Sequence, residues 1–405
     1  MNCLNLKPIQ RMVIVPAVLL LLASLFGPQL RAEQAALKAF ETVELSSEIG
    51  RSLDRMQIQA FGRNFQLDLA PNQALLASLP SRQRDRIAAE DVFLKGSIEG
   101  IPGSWVRLNR IDGRFSGGFF DGSELYLIDR AAGFPGLRAA GVPRDQTIAF
   151  RFADLEFDAL IDRGGVEPLA RSGTSRSQTD YADFISHLRE IASLQGTVML
   201  ALPVTIVSDV QFTARHGSSA ASVVAGRINF IDGIYSTQVG VGITLWHHEI
   251  LSANGTLTAT GALELLNQFR AFMTTGAGSD VPFLGVAHLF TDGRPQGGTA
   301  GIAYVGVLCN PGFGYGVDED LNSETTTALV FAHEVGHNFG APHDGENECA
   351  DETFRGIMNP SINQSQQFSD CSIEEMSAEL NGAGCLVEPI EPEEVFRNGF
   401  ESPAG

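Results

Sequence analysis

Residues 333–344 read HEVGHNFGAPHD, and the surrounding fold has to serve what these side chains need. Successive residues of a helix turn by about 100°, so His333 and His337, four apart, leave nearly the same face and can bind one metal ion together. Glu334 stands one position past the first histidine. A carboxylate there lies beside the metal without ligating it, placed to take a proton from an attacking water. Gly340 can adopt the left-handed backbone that reverses a chain after a helix, and the reversal can bring back His343 as a third imidazole. Three neutral nitrogens with a fourth position open describe catalytic zinc.

A bare His-Glu-x-x-His arises by chance in roughly one chain in a hundred of this length at average composition; the added glycine, third histidine and aspartate make the whole pattern about four orders of magnitude rarer. The helix also has a face to bury. Ala328, Ala332, Val335 and Phe339 form a stripe that can pack on a sheet while the two histidines point away from it. Downstream, residues 356–360 (GIMNP) read as a tight turn whose Met358 can lie under the metal.

These features resemble the adamalysin (reprolysin) branch of the metzincin zinc endopeptidases, with Asp344 as the signature of the branch. Further matches are 204–209 (VTIVSD), 229–245 with GIYSTQVGVGITL, 301–309 (GIAYVGVLC) and 368–372 (FSDCS). The resemblance runs over about 197–388, with a fainter echo before it. It implies an α/β (α+β) catalytic domain with a twisted mixed sheet, an active-site helix and a methionine turn, preceded by a β-rich propeptide-like domain. It also implies one catalytic Zn2+ on His333, His337 and His343, with Glu334 as the catalytic base and Gly340, Asp344 and Met358 in supporting roles. Asp344, beside the third ligand, is expected to be a hydrogen-bonding carboxylate and not a base. In the family the strand matching 301–308 is the sheet edge that pairs with substrate, so a protein or peptide is the implied partner. The family's calcium positions correspond to Pro203 and Leu289 here, so no calcium site of that kind is expected.

The remainder of the chain fits an exported precursor. Its 405 residues suggest two domains with tails. Residues 1–32 carry Lys7 and Arg11, an apolar run over 12–26 and the small Ala32, which together read as an export signal and not a membrane span. The destination would be extracellular or a periplasm. Lys plus Arg total 28 against 48 Asp plus Glu, a net charge of −20, which argues against nucleic acid and anionic membranes as partners. Residues 33–170 alternate apolar residues with glycine turns; 105–108 (WVRL) and 125–128 (LYLI) read as paired strands. Residues 171–196 read as a linker, with Arg171 and Arg176 as cleavage candidates. The catalytic domain, 197–388, alternates strands (199–207, 241–246, 301–308) with helices (220–235, 263–274) ahead of the metal helix. His187, His216, His247, His248 and His288 lack ligand spacing, so surface or hydrogen-bonded core roles are expected.

Four cysteines lie past the signal, and an even count in an exported chain favours disulfides. Three pairings are possible; the family resemblance selects Cys309 with Cys385 and Cys349 with Cys371. Ser372 and Glu375 read as a capping box for a last helix ending near Asn381. Residues 389–405 form an acidic, Pro/Glu-rich tail read as disordered or as a sorting signal, with no disintegrin-like domain or membrane span expected to follow. No cysteine lies between Cys3 and Cys309, so any latency would have to work without a cysteine on the metal. Two other readings stay open: a zinc-fold binding protein with weak or no catalysis, and a zinc hydrolase of a non-peptide substrate.

Overall fold

The computed structural model describes residues 36–43, 45, 55–156, 200–293, 295, 297–361 and 365–388. The expected signal, the linker with Arg171 and Arg176, His187 and the tail lie outside the described residues.

The N-terminal half is built of strands: β1 (Ala36–Leu37), β2 (Glu41–Thr42), β3 (Arg55–Ala60), β4 (Arg63–Pro71), β5 (Val92–Ile98), β6 (Trp105–Ile111), β7 (Arg114–Phe120), β8 (Leu125–Arg130), β9 (Thr147–Arg151) and β10 (Leu155–Glu156). Short helices α1 (Ala74–Ala77), α2 (Ser81–Arg84) and α3 (Pro135–Ala139) interrupt them. Eight strands form one antiparallel sheet in the order β2-β9-β8-β7-β6-β5-β4-β3. The sheet curls. Phe65 on β4 and Phe119 on β7 are separated by two strands, yet their ring centroids lie 4.9 Å apart; in a flat sheet, strands spaced by about 4.8 Å would hold them much farther apart. Ile58, Leu67, Leu108 and Ile128 fill the concave side.

Residues 105–108 and 125–128 are strands, but they do not pair with each other. Arg114–Phe120 lies between, bonded to both. That strand reads RFSGGFF, and its paired glycines hid it from a propensity reading. Gly117 has φ +127°, and a Cβ there would lie 3.0 Å from Leu108 Cα, so only glycine lets the strand pass so close to β6.

In the C-terminal half, β11 (Leu200–Ser208), β12 (Val241–Ile250), β13 (Val286–Thr291), β14 (Gly301–Ala303) and β15 (Tyr315–Glu319) form a mixed sheet ordered β12-β11-β13-β15-β14. All neighbours are parallel except β14, which runs antiparallel at the edge. Helices α4 (Val210–His216), α5 (Ala220–Gln238), α6 (Ala262–Thr275), α7 (Glu324–Asn338) and α8 (Asp370–Leu380) connect and cover it. Strand alternation divides the layers: Val204 and Ile206 face the core under α5 and α7, while Val207, Leu289 and Val317 face α6.

Three expectations need correcting. The strand over 301–308 is only Gly301–Ala303, because Gly306 and Cys309 take positive φ and turn the chain. A strand unforeseen from sequence, Tyr315–Glu319, intervenes before the metal helix. The cap of the last helix is Ser369, whose side chain accepts from the Ser372 N–H; Ser372 sits one turn inside, with its hydroxyl bonded to Asp344.

The stripe of Ala328, Ala332, Val335 and Phe339 is in the core as expected, but α7 is buried on its other faces too. The N-terminal sheet covers part of them through β7 and β8, and the edge strand and the turn bearing Met358 cover the side that carries Glu334 and Gly336. One continuous apolar cluster takes in Trp105, Leu127 and Phe150 from that sheet together with Phe230, Leu329 and Val335. The two halves have separate sheets but share a core.

Candidate metal centre

Ser323 starts α7, accepting from the Thr326 N–H at 3.1 Å, as an N-cap serine should. The helix stops where Gly340 takes φ +101°. The Gly340 N–H reaches the His337 carbonyl at 2.8 Å and the Ala341 N–H the Gly336 carbonyl at 3.1 Å, the paired bonds of a Schellman stop. The reversal swings residues 341–344 back beside the last turn. One ring nitrogen from each of His333, His337 and His343 then lies within 4.8 Å of the others, and all three residues are buried.

The other ring nitrogens are committed. His333 Nδ1 lies 2.7 Å from the Ile357 carbonyl and His337 Nδ1 2.8 Å from the Ala341 carbonyl. A carbonyl can only accept, so both Nδ1 atoms carry the proton and the Nε2 lone pairs are the ones offered to a metal. His343 Nδ1 faces the Glu346 carboxylate at 3.3 Å, which has the same effect. Three imidazoles with fixed tautomers, converging and buried, fit zinc.

The support beneath them is equally specific. Gly356 and Asn359 close a turn through a 3.2 Å bond that carries the fully buried Met358. A Cβ on Gly336 would lie 2.5 Å from Met358 Sδ, so the glycine between His333 and His337 is what lets the sulfur sit against the helix. Asp344 knits the neighbouring His343 to this turn and to α8. It accepts from the Gly356 N–H at 2.6 Å, Ser369 Oγ at 2.6 Å and Ser372 Oγ at 3.1 Å, while its own N–H bonds the Met358 carbonyl at 2.9 Å. Disulfides join Cys309 to Cys385 and Cys349 to Cys371, with Cα atoms 5.3 and 5.8 Å apart. The second clamps the loop after Asp344 onto α8.

Glu334 is fully buried, and its carboxylate lies over the backbone of Gly301 on the edge strand. A Cβ at Gly301 would lie 2.6 Å from Glu334 Cγ and 2.7 Å from Cδ. Burial, together with the Glu334 charge, pushes the nearby Tyr235 phenol well above its ordinary range, so this hydroxyl stays protonated and donates to the Ala332 carbonyl at 2.7 Å.

Sequence reasoning placed His288 only as a surface or core histidine. It lies in the core, 2.7 Å from Asp318 and 2.9 Å from Asn338 Oδ1, and Asn338 in turn donates to the Tyr304 carbonyl at 2.8 Å. The last carbonyls of α7, on His337 and Asn338, accept from the N–H groups of Gly306 and Val307. The metal helix is thereby tied to the segment that follows the edge strand. No spacing rule connects His288 with Asn338; only Asn338 immediately after His337 could have drawn notice. His216 bonds Asp320 at 2.6 Å and His247 bonds Gln83 at 2.9 Å. Burial, with help from Arg86 and His247, lowers His248 to about 3, keeping it neutral beside Ser208.

The sequence has known counterparts. Residues 201–369 match the family model for Reprolysin_5, metallo-peptidase family M12. The human disintegrin and metalloproteinase domain-containing protein 9 is 32% identical over 182 residues, which is 42% of this chain and 21% of that protein. A zinc metalloproteinase/disintegrin of Bitis gabonica is 38% identical over 115 residues, 27% of this chain and 35% of that protein. The mouse disintegrin and metalloproteinase domain-containing protein 22 is 25% identical over 379 residues, 85% of this chain and 40% of its own length, so its likeness extends into the β-rich half. The chain spans no more than 40% of any of these relatives. The His-Glu-x-x-His helix, the returning His343 and Asp344 all fall inside the matched segment, and over that segment the chain is similar to the reprolysin-type metallopeptidases of family M12.

Proposed function

We propose that this chain is an exported zinc endopeptidase, made with an N-terminal signal (1–32), a β-rich propeptide-like domain (33–170), a linker (171–196) and a catalytic domain (197–388). One observation supports the reading most. Three imidazoles with their Nε2 atoms converging stand beside a buried carboxylate that rests on the edge strand of a sheet. His333, His337 and His343 would hold one zinc ion. When bound, zinc supplies a Lewis acid that acidifies water and polarises a scissile carbonyl.

The protein's own groups do the rest. The edge strand β14 offers main-chain donors and acceptors to an extended peptide, whatever its sequence, and so sets the substrate across the site. Glu334 receives the proton of the attacking water and returns it to the leaving amine, since it is adjacent to His333 and close to Gly301 on the substrate edge. Asp344, Met358 and the Cys349–Cys371 clamp hold the third ligand and the floor of the site. No nucleic acid partner and no calcium site form part of the proposal. Among the described residues no helix is long and apolar enough to cross a membrane.

The test is digestion of casein or a quenched peptide, with and without chelator, by the parent and by Glu334→Ala. The parent should cut and lose activity with chelator. Glu334→Ala should keep zinc and fold but lose activity by about 10²–10⁴-fold, the usual contribution of a general base. Comparable turnover in the mutant would remove Glu334 from the mechanism. A zinc-loaded parent that binds peptides without cutting them would favour the binding-protein alternative.

A further inference from the structure

The side of α5 facing the N-terminal sheet is shaped to receive it. Gly226 and Gly233 lie seven residues apart, about two helical turns, and therefore share a face. A Cβ at Gly233 would come 2.8 Å from Arg107 Cγ and from the Trp105 ring; one at Gly226 would come 3.1 Å from Asn109 Nδ2 and Ile111 Cδ1. Glycine inside a helix is destabilising by itself. Two glycines at the contacts with β6 are therefore best explained by the docking of that strand.

The polar side of the contact is just as closely fitted. Arg107 Nε and Nη2 donate to Asp232 Oδ2 at 3.0 and 2.8 Å. Asn72 donates to Asn229 Oδ1 at 2.8 Å, Asn229 to Asn109 Oδ1 at 2.8 Å, and Asn109 to the Gly226 carbonyl at 3.0 Å. None of these five side chains belongs to a residue more than 8% exposed. Contacts between parts that readily separate are exposed to solvent, whereas the polar side chains of this one are buried, and separation would bare Trp105, Leu127, Phe230 and Leu329 from the shared cluster.

The contact also reaches the metal helix. Asp129 on β8 accepts at Oδ2 from Ser323 Oγ at 2.8 Å, from the Thr325 N–H at 3.2 Å and from Thr325 Oγ1 at 3.1 Å. Ser323 caps α7 on one side, and Asp129 satisfies another of its first N–H groups from the other half of the protein. Gly133 sits flush against this turn, where a Cβ would lie 3.0 Å from Ser323 Cα.

We propose that the N-terminal half is a permanent partner of the metallopeptidase half: when the chain is cut between residues 157 and 199, the pieces stay bound, and Asp129 continues to cap the helix that carries His333 and His337. This goes beyond the peptidase reading and does not depend on it.

In the test, residues 171–178 of the full chain are replaced by the recognition sequence of a site-specific protease. The protein is cut to completion and passed over a sizing column with mass detection in native buffer. One particle with the mass of the uncut chain is expected. Two separate peaks would overturn the proposal. Asp232→Ala, which strands the Arg107 guanidinium, should raise the dissociation constant of the cut pair by about a hundredfold, read as splitting on dilution. Unchanged elution of that variant at all dilutions would show that the buried pair does not hold the halves together, and would overturn its role. Elution needs no substrate, so a co-eluting but inactive pair would count only against the peptidase function.

Discussion

Gly301→Ala separates the stability of this protein from its chemistry. The new methyl would lie 2.6 and 2.7 Å from Glu334 Cγ and Cδ, where carbon atoms ordinarily stand about 3.5–4.0 Å apart, so the glutamate side chain must move by roughly an ångström. The carboxylate is the far end of a flexible chain. Rotation off its preferred angles relieves the clash at a cost of about 1 kcal/mol, which lowers the melting temperature by only about 2–4 °C for a domain of this size. The chemistry is far less tolerant, because a misplacement of about 1 Å can cost on the order of a hundredfold in rate. The variant should therefore fold, keep one zinc by metal analysis, and cut a quenched peptide about a hundredfold more slowly in kcat/KM. Turnover within about threefold of the parent, a barrier change under 1 kcal/mol, would refute the view that the edge strand fixes the general base. Loss of zinc would refute the separation of base from ligands.

Other outcomes follow from the same contacts. His343→Ala should lose zinc on mild dialysis against chelator while His333 and His337 remain; stoichiometric zinc in that variant would exclude His343 as a ligand. Asp344→Ala removes the acceptor for Gly356, Ser369 and Ser372, and at roughly 1.5 kcal/mol per bond to a charged group the unfolding free energy should drop by about 4.5 kcal/mol. An unchanged urea midpoint would count against the clamp. Asp320 is buried, which by itself would raise its pKa, but Arg227, His216 and Arg215 hold it well below the ordinary carboxylate range. Its pairing therefore stabilises the fold fully above the unfolded carboxylate value, about pH 4, and less as the pH falls toward the folded value. Asp320→Asn should be less stable than the parent by about 3 kcal/mol at pH 7, with the gap narrowing below pH 4; a gap constant down to pH 2 would contradict the linkage.

The local geometry of the site was written in the chain. Helical spacing alone puts His333 and His337 on one face, Gly340 permits the reversal, and His343 lies within its reach, because each step involves neighbours a few residues apart. The cysteine pairs Cys309–Cys385 and Cys349–Cys371 came from likeness to a family; the residues themselves allowed three pairings. Long-range approach was not legible. Gly301 reads as an ordinary strand glycine until Glu334 is seen lying on it, and His288 as an ordinary core histidine until Asn338 arrives fifty residues later. Glycines within β7 concealed the strand that separates 105–108 from 125–128, since a missing side chain looks like a break until the partner backbone fills its place. The amphipathic stripe on the metal helix was correct but incomplete. Period and composition report which face is apolar, whereas burial of the remaining faces depends in part on a sheet far upstream that folds against α5 and α7 and contributes Asp129 to the cap of α7. A chain encodes its turns and ligand spacings locally; which surfaces meet is decided only when the apolar faces of distant segments exclude water together.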